Sequence, residues 1–531
     1  MTPAGQRWSP RGEHRLLFVS DPSSIAVNLL PDPAGPEDLR RWVDMVADSG
    51  ADTLVQEVYN QGYSVYWQSD LIQYDQRPQH RRFLPMLETG SQPLAVLIAQ
   101  GHQRGLRFLA GFRVNDDHNF PAYAEFYQAH PEFALVLPEG EYYRYGKPLD
   151  FSFAAVREYL YAPMQEVAAR FEVDGLELCF RDHGYFPREY GRERAHLMTD
   201  LLRRVRVMLD EEGKRKGRRM LLGARVFSTL EECAELGLDV AGWIAAGLLD
   251  YLSPGDTMFA DFNLPLDEFA ALTRPSACML YPGMYPWTSS RARSRLDQLP
   301  LSPATCRAFV QTVYGSGGDG LSVYNHFCTI WHAPFYPQSL GILRQLRDPG
   351  RVLAAERHYI YDPTWAGQTG FGGEGRCPTG AVRANQLVLS REAPDAAGQY
   401  RFCLCEEAAD LAGASLLFRG FGLSEEDELE VRLNGYLIAD EGVGRTRAAD
   451  APVDWGHARQ VGERKRKCIP EQGRIDFRTS KEPAFSTRWF ALKDCPVAWG
   501  WNVLEIRLFR SDPQASGVVV IDEVEVFVAP Q

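Results

Sequence analysis

Short β-rich runs alternate with amphipathic helical segments from about Leu16 to Trp331, and this alternation constrains the possible folds more than any other feature. Eight runs read as strands, most of them separated by a helical pattern: RLLFVS, ADTLVQEVYN, LRFLAGFRVNDDH, VDGLELCF, RMLLGARVF, DYLSPGD, SACMLYPGMYP and DGLSVYNHF. Alternating strands and helices imply a parallel sheet covered by helices. Eight such units over about 250 residues or more predict a closed (β/α)8 TIM barrel.

An open, doubly wound sheet is the competing arrangement, but the glycine-rich turn expected after its first strand is missing. The glycines of GSGGDG, at Gly315 to Gly320, precede a strand instead of opening a helix. We therefore interpret this stretch as a turn and not as a phosphate-binding loop.

The pattern changes after Trp331 to short alternating runs such as NQLVLS, DELEVRLNGYLI and VVVIDEVEVFV, which are typical of an all-β sandwich. A passage rich in proline and glycine, YDPTWAGQTGFGGEGRCPTG, separates the two regions. The predicted domains are the barrel at residues 1–350, a linker at 351–380 and the sandwich at 381–531.

The charge balance and the cysteines exclude several classes of function. A net charge of −13 argues against a general affinity for nucleic acid or anionic membranes. The N-terminal stretch lacks the apolar region of a signal peptide, and no apolar run approaches the ~20 residues of a membrane span. We therefore expect a cytoplasmic protein, with a trimmed export signal as the alternative. The ten cysteines show no zinc-ligand spacing, so no metal or other cofactor is predicted.

In a (β/α)8 barrel the reacting groups come from the C-terminal ends of the strands and the loops that follow them. This rule selects a short set of polar residues as candidates for a common site. They are Asn60 after the second strand, Arg113, Asn115, Asp117 and His118 after the third, Glu177, Arg181 and His183 on and after the fourth, Arg225 on the fifth, Tyr281 on the seventh, and Tyr324 and Asn325 on the eighth.

Glu177 is the strongest of these candidates. Successive side chains of a strand point to opposite faces, so Leu176 and Leu178 facing the helices would turn Glu177 and Cys179 into the barrel. A buried acid is costly unless it is paired, hydrogen-bonded or protonated. Glu177 therefore has either a structural partner, for which Arg225 and Arg113 are the candidates, or a catalytic role.

Two carboxyl groups across a sugar-binding cleft support glycoside hydrolysis, one as acid and the other as base or nucleophile. We take Glu177 as the first, a general acid/base, and Asp117 as the second, with Asp182 and Asp256 as weaker candidates. A nucleophilic Cys179 would need a nearby base such as His183. The remaining candidates would orient the sugar: Asn60, Arg113, Asn115, His118, Arg181, His183, Arg225, Tyr281, Tyr324 and Asn325.

The order of FRVNDDH, VDGLELCFRDHGYF and LGARVF resembles a group of bacterial family-10-like glycosyl hydrolase barrels. The resemblance covers about residues 15–345, and the C-terminal part is similar to the galactose-binding-like sandwich often appended to such barrels. It implies hydrolysis of an oligo- or polysaccharide. Relatives carry DGIELDF or similar on the fourth strand, so Glu177 matches and Cys179 stands where an aspartate is expected.

A thiol does not replace a carboxylate in stabilising an oxocarbenium ion. Three functions therefore stay open. The first is a hydrolase of O-glycosyl bonds, in which Glu177 works with an acid from another strand. The second is a catalytically inactive barrel that binds glycans. The third is a lyase or modifying enzyme that uses Arg113, Arg181 and Arg225 to bind an acidic sugar.

Overall fold

A computed structural model describes most of the chain, and the account below concerns those residues. They are 8–28, 30–60, 63–116, 124–135, 148–180, 184–255, 260–288, 299–326, 340–361, 387–393, 396–439, 485–492 and 496–530.

Parallel strands form a ring in the N-terminal part of the described chain. They are β1 (Leu16–Ser20), β2 (Thr53–Asn60), β3 (Arg107–Arg113), β4 (Gly175–Cys179), β5 (Leu221–Val226), β6 (Tyr251–Pro254), β7 in two segments (Met279–Leu280 and Gly283–Met284) and β8 (Leu321–Tyr324). Each strand pairs with the next in this order, and β1 also pairs with β8. A two-residue segment, Ser64–Val65, adds an antiparallel partner to β2, and Trp287–Thr288 pairs with Leu299–Pro300.

The split strand β7 closes the ring. Its first segment pairs with β6, and its second segment pairs with β8 through Ser322 opposite Gly283. Pro282, between the two segments, has no N–H to give to a ladder, and this interrupts the strand. The closed (β/α)8 barrel predicted from the sequence is confirmed.

Helices surround the ring and connect successive strands. They are α1 (Pro22–Asn28), α2 (Pro36–Asp48), α3 (Leu84–Glu88), α4 (Pro93–Gln103), α5 (Glu125–Ala129), α6 (Ala154–Arg170), α7 (Gly191–Lys216), α8 (Leu230–Glu235), α9 (Val240–Ala245), α10 (Leu266–Thr273), α11 (Pro303–Gly315), α12 (Leu343–Leu346) and α13 (Pro349–Leu353). Among the described residues, short 3-10 segments lie at Pro78–Phe83, Pro131–Phe133, Arg188–Tyr190 and Ala408–Gly413.

Local signals in the sequence set the ends of these helices. Asp239 caps α9 by accepting a hydrogen bond from the Gly242 N–H at 3.0 Å, and Ser302 caps α11 in the same way. Gly217 ends α7 in the left-handed conformation, at φ 70°, where a side chain would be strained. None of the described helices is long and apolar enough to cross a membrane.

Two apolar cores pack on opposite faces of the barrel strands. The larger core joins the outward side chains of the strands to the helices. The smaller core fills part of the ring interior and consists of Leu17, Val19, Val55, Leu109, Tyr251, Tyr281, Tyr285 and Tyr324. Four tyrosines of this interior core place hydroxyl groups among the apolar side chains. Polar residues occupy the rest of the ring interior.

The C-terminal part is an all-β sandwich, as predicted. Its strands are β9 (Arg357–Tyr361), β10 (Leu387–Ser390), β11 (Ala397–Leu404), β12 (Ser415–Phe421), β13 (Glu428–Leu433), β14 (Tyr436–Leu437), β15 (Phe485–Ala491), β16 (Gly500–Arg510) and β17 (Val518–Val528). Among the described residues, one antiparallel sheet has the order β9–β17–β12–β15 with β10 also on β17, and the other has the order β11–β16–β13–β14.

Strand β9 lies inside residues 351–380, the range for which the sequence predicts a linker. It pairs antiparallel with β17, from Arg357 opposite Val528 to Tyr361 opposite Val524. The sandwich therefore recruits a strand from directly after α13. The partner strand lies more than 150 residues away along the chain, so this pairing has no local signal in the sequence.

Candidate active site

Glu177 lies inside the barrel, as the period-two pattern of β4 predicts. Its carboxylate accepts a hydrogen bond from the hydroxyl of Tyr251 at 2.8 Å, and Arg225 Nε lies 3.4 Å from its other oxygen. Only 1% of Glu177 is exposed. Of the two structural partners that the sequence offers, the described contacts select Arg225; Arg113 pairs elsewhere.

Glycines on the neighbouring strands make room for these large polar side chains. A Cβ on Gly223 would lie 2.0 Å from the ring of Tyr251, and a Cβ on Gly283 would lie 3.1 Å from Arg225 Nη1. A Cβ on Gly111 would lie 3.2 Å from Cγ of Glu57. Because β3, β5 and β7 each carry a glycine here, the polar side chains of the neighbouring strands occupy the space that other side chains would fill.

Arg225 crosses the barrel interior. Its Nη2 donates a hydrogen bond to Oγ of Ser322 on β8 at 2.6 Å, and its guanidinium lies 5.6 Å from the ring centroid of Tyr324. Burial raises the pKa of Tyr251 well above its ordinary value, and the adjacent Glu177 raises it further. Tyr251 therefore stays a neutral hydrogen-bond donor to Glu177.

A second glutamate, which the sequence reasoning passes over, faces the same interior. Glu57 on β2 is 2% exposed and accepts a hydrogen bond from the hydroxyl of Tyr324 at 3.2 Å. In the strand register Glu57 lies opposite Gly111, and Gly111 lies opposite Glu177. The alternation in TLVQEVYN, where Val55 also faces the interior, is the signal that would have identified Glu57.

The polar residues that end β3 are held by protein partners. Arg113 Nε lies 2.8 Å from Oδ2 of Asp116. The amide of Asn115 donates to the main-chain carbonyls of Leu149 and Gly184, and its oxygen accepts from the Leu149 N–H and from Tyr63. These bonds use both hydrogens and both lone pairs of the Asn115 amide, so this side chain ties the surrounding loops together.

Three predicted or adjacent residues lie at the end of β8. Tyr324 packs edge-on against Tyr285, with ring centroids 5.5 Å apart. Asn325 adopts a left-handed backbone conformation at φ 59°, which is uncommon outside glycine and concentrates at functional sites. Burial lowers the pKa of His326 to about 3, so this imidazole is neutral at pH 7.

Tyr281, predicted from the sequence to lie at the mouth, points to the other end of the barrel. Its hydroxyl donates to the main-chain carbonyl of His14, which precedes β1, at 3.2 Å. Its ring packs edge-on against Tyr251 at 5.7 Å. Tyr281 therefore belongs to the floor of the interior core, because it directly follows Met279–Leu280, the segment of β7 that pairs with β6, and lies before the Pro282 interruption.

Several candidates lie outside the described residues, and their roles stay predictions. The backbone of Asn60 pairs with Ser64, but its side chain is outside the described part. The others are Asp117, His118, Arg181, Asp182, His183 and Asp256. Cys179 is described: it faces the interior as a buried thiol, with Arg113 and Arg225 opposite it on the neighbouring strands. Among the described residues no group of three His, Cys, Asp or Glu is arranged to hold a metal ion.

A comparison with known families gives a match in the N-terminal part of the chain. Residues 24–200, a third of the chain, match the family described as Glycosyl hydrolase-like 10. This match agrees with the resemblance carried by the barrel motifs and includes β2 to β4, on which Glu57 and Glu177 lie. No curated protein gives a significant match.

Solved structures that align with parts of this chain include the following three. The glycoside hydrolase domain of PgaB (BpsB) from Bordetella bronchiseptica is 12% identical with a TM-score of 0.42, over 64% of this chain and 99% of that domain. Alpha-L-fucosidase isoenzyme 2 from Paenibacillus thiaminolyticus is 9% identical with a TM-score of 0.41, over 63% of this chain and 49% of the fucosidase. A family 18 N-acetylglucosaminidase from Paenibacillus barengoltzii is 12% identical with a TM-score of 0.36, over 63% of this chain and all of that one.

Proposed function

We propose that this protein is a glycoside hydrolase that cleaves O-glycosyl bonds of an oligo- or polysaccharide inside the C-terminal end of its barrel. The observation that carries the proposal is the position of Glu177. Its carboxylate lies inside the ring, two residues before the end of β4, and is oriented by Tyr251 and Arg225. Barrel enzymes build their sites from side chains in this part of the strands.

The two hydrogen-bond donors narrow the role of Glu177. The Tyr251 hydroxyl and the Arg225 guanidinium both point at the Glu177 carboxylate and hold it in place. We assign to Glu177 the role of base or nucleophile of glycoside hydrolysis, and to a different group the role of proton donor. The sequence assigns the second carboxyl to Asp117, which lies outside the described residues and stays a prediction.

The substitution Glu177→Gln tests the proposal, and the sandwich supplies a matched control. Glu406 is also buried and also accepts from an arginine and a tyrosine: Arg357 Nε lies 2.6 Å from its carboxylate, and the hydroxyl of Tyr359 donates to it. Removing one partner of a buried ion pair costs stability, by roughly 3–5 kcal/mol when the charge is left alone. Glu406→Gln should lose a similar amount of stability, but at a position outside the barrel interior.

Purified wild-type protein, Glu177→Gln and Glu406→Gln are incubated with a broad glycan panel, and released reducing ends are counted at a temperature where all three are folded. We expect release by wild type and Glu406→Gln and a loss of at least about 10³-fold in Glu177→Gln. Equal release by wild type and Glu177→Gln would give Glu177 a structural role. Binding of a glycan without any release by the wild type would contradict hydrolysis.

One observation favours a second function, a glycan-binding barrel without catalysis. The Glu177–Arg225–Tyr251 arrangement repeats the chemistry of Glu406–Arg357–Tyr359, which lies in the sandwich, away from the barrel interior. The same panel separates the two functions. A lyase acting on acidic sugars has less support, because the described arginines Arg113 and Arg225 already face carboxylates.

A further inference from the structure

We infer that Glu57 is the second carboxyl group of this site and donates the proton to the leaving oxygen. The inference rests on the proposed function and deepens it. It assigns to β2 the role that the sequence gives to Asp117, and it uses only groups that the structure describes.

The strand register places Glu57 and Glu177 in one layer of the barrel. Gly111 on β3 is opposite both residues, so the two glutamates are two strand spacings apart, about 10 Å between Cα atoms. Gly111 has no side chain to separate them, and the Glu57 side chain passes close over it. Two glutamates that reach inward from this distance can bring their carboxyl groups to the roughly 5–9.5 Å range found in glycoside hydrolases.

The groups around the pair are those of a binding site. Tyr324 donates to Glu57 and lies beside Arg225, which faces Glu177, so the two carboxyl groups share one polar network. Ser253 on β6 lies opposite Arg225 in the register and is fully buried, and its hydroxyl has no hydrogen-bond partner among the described residues. A buried hydroxyl in this position is available to a ligand hydroxyl.

The roles follow from the partners. Hydrolysis needs one carboxyl in its acid form and one in its ionised form, and we assign the ionised role to Glu177, which faces the Arg225 guanidinium. Glu57 then gives its proton to the glycosidic oxygen, and the electron pair of the breaking bond to the anomeric carbon leaves with that oxygen. A water oxygen bonds to the anomeric carbon, and the water proton passes to Glu177. Exchange with solvent returns both groups to their starting forms.

The test compares leaving groups. A poor leaving group needs protonation, whereas 2,4-dinitrophenolate leaves without it, so loss of the acid affects the two unequally. The probes are the phenyl and 2,4-dinitrophenyl glycosides, in both anomers, of the sugars released from the panel. They are given to wild type, Glu57→Gln, Glu57→Asp and Asp117→Asn. Melting temperatures confirm that each variant is folded.

For Glu57→Gln we expect a loss of about 10²–10⁴-fold on the phenyl glycoside and less than about tenfold on the dinitrophenyl glycoside. We also expect the pH–rate profile of Glu57→Gln to lose its basic limb. Glu57→Asp, which keeps a carboxyl group, should recover part of the rate on the phenyl glycoside. Equal losses on both probes, wild-type rates, or the same leaving-group signature in Asp117→Asn instead would overturn the inference while leaving the hydrolase proposal intact. A wild type that cleaves no probe and no glycan would overturn the proposed function itself.

Discussion

Burial controls the chemistry of single residues in this barrel. His80 is fully buried in a polar cluster, where its Nε2 lies 3.0 Å from Ser23 Oγ and 3.3 Å from Arg77 Nη2. Burial lowers its pKa to about 3; Arg77 and Arg82 act in the same direction, and Asp75 opposes them. His326 at the end of β8 has a pKa lowered to about the same value, also by burial. Both imidazoles are therefore neutral in the folded protein at pH 7.

These histidines predict a loss of stability in mild acid. In the unfolded chain each has a pKa near 6.5, so between pH 6.5 and about 3 the unfolded state binds a proton that the folded state does not. Stability is fully present above pH 6.5 and falls as the pH is lowered, by about 1.4 kcal/mol per pH unit for each histidine. At pH 5 we expect each to cost about 2 kcal/mol.

Urea unfolding of wild type and His80→Gln at pH 7.5 and pH 5 measures this effect. Carboxyl groups titrate in both proteins, so the quantity compared is the fall in the free energy of unfolding of each protein between pH 7.5 and pH 5. We expect a shallower decline in His80→Gln, by about 2 kcal/mol over this interval. Parallel declines would mean that His80 becomes protonated in the folded protein.

At the scale of elements, the large polar side chains fit inside the barrel because some strand positions are glycines. Gly223 gives Tyr251 the space to reach Glu177, and Gly283 gives space to Arg225. In Gly223→Ala the added methyl would overlap the ring of Tyr251, so the tyrosine moves away from Glu177. We expect a loss of about 1–3 kcal/mol in stability and at least a tenfold loss of turnover.

Gly341→Ala is the control for Gly223→Ala, because a Cβ at position 341 meets no atom within 4 Å. It should unfold and turn over like the wild type. Chemical denaturation and reducing-end release are measured on both variants. Full turnover in Gly223→Ala would show that the Tyr251 contact does not support the site.

The sequence predicts the strands and helices well, but it predicts poorly which strands and side chains contact one another. Alternation of strands and helices predicts the barrel, and period-two patterning predicts that Glu177 points inward, because both signals are local. The contacts of Glu57 and Tyr251 depend on the register between strands more than fifty residues apart, and on the space left by glycines. Strand β9 depends on β17 in the same way, so the predicted linker contains a strand of the sandwich.

At the scale of the molecule, the barrel and the sandwich meet through hydrogen bonds to main-chain atoms. Asn263, after β6, donates to the Arg401 carbonyl and accepts from the Cys403 N–H, both at 3.0 Å. Gln311 on α11 donates to the Cys405 carbonyl at 2.7 Å. The sandwich therefore packs on helices and loops of the barrel.

Asn263→Ala is expected to weaken this contact. It leaves the Arg401 carbonyl and the Cys403 N–H without their partner, at a cost of about 1–3 kcal/mol for each group. Scanning calorimetry should show one transition for the wild type and two separated transitions for Asn263→Ala. Asn263→Asp keeps the acceptor for Cys403 and should show an intermediate separation. A single unchanged transition in Asn263→Ala would show that the contact contributes nothing to cooperativity.

Hydrolysis at this site requires that a saccharide reach the carboxylates inside the barrel. A crystal structure of Glu177→Gln, soaked with the oligosaccharide that the wild type cleaves, measures this directly. We predict a sugar ring inside the C-terminal end of the barrel, with its scissile oxygen within hydrogen-bond distance of Glu57 and its anomeric carbon facing residue 177. Sugar density confined to the sandwich, with the barrel interior still closed around Tyr251 and Arg225, would contradict hydrolysis inside the barrel.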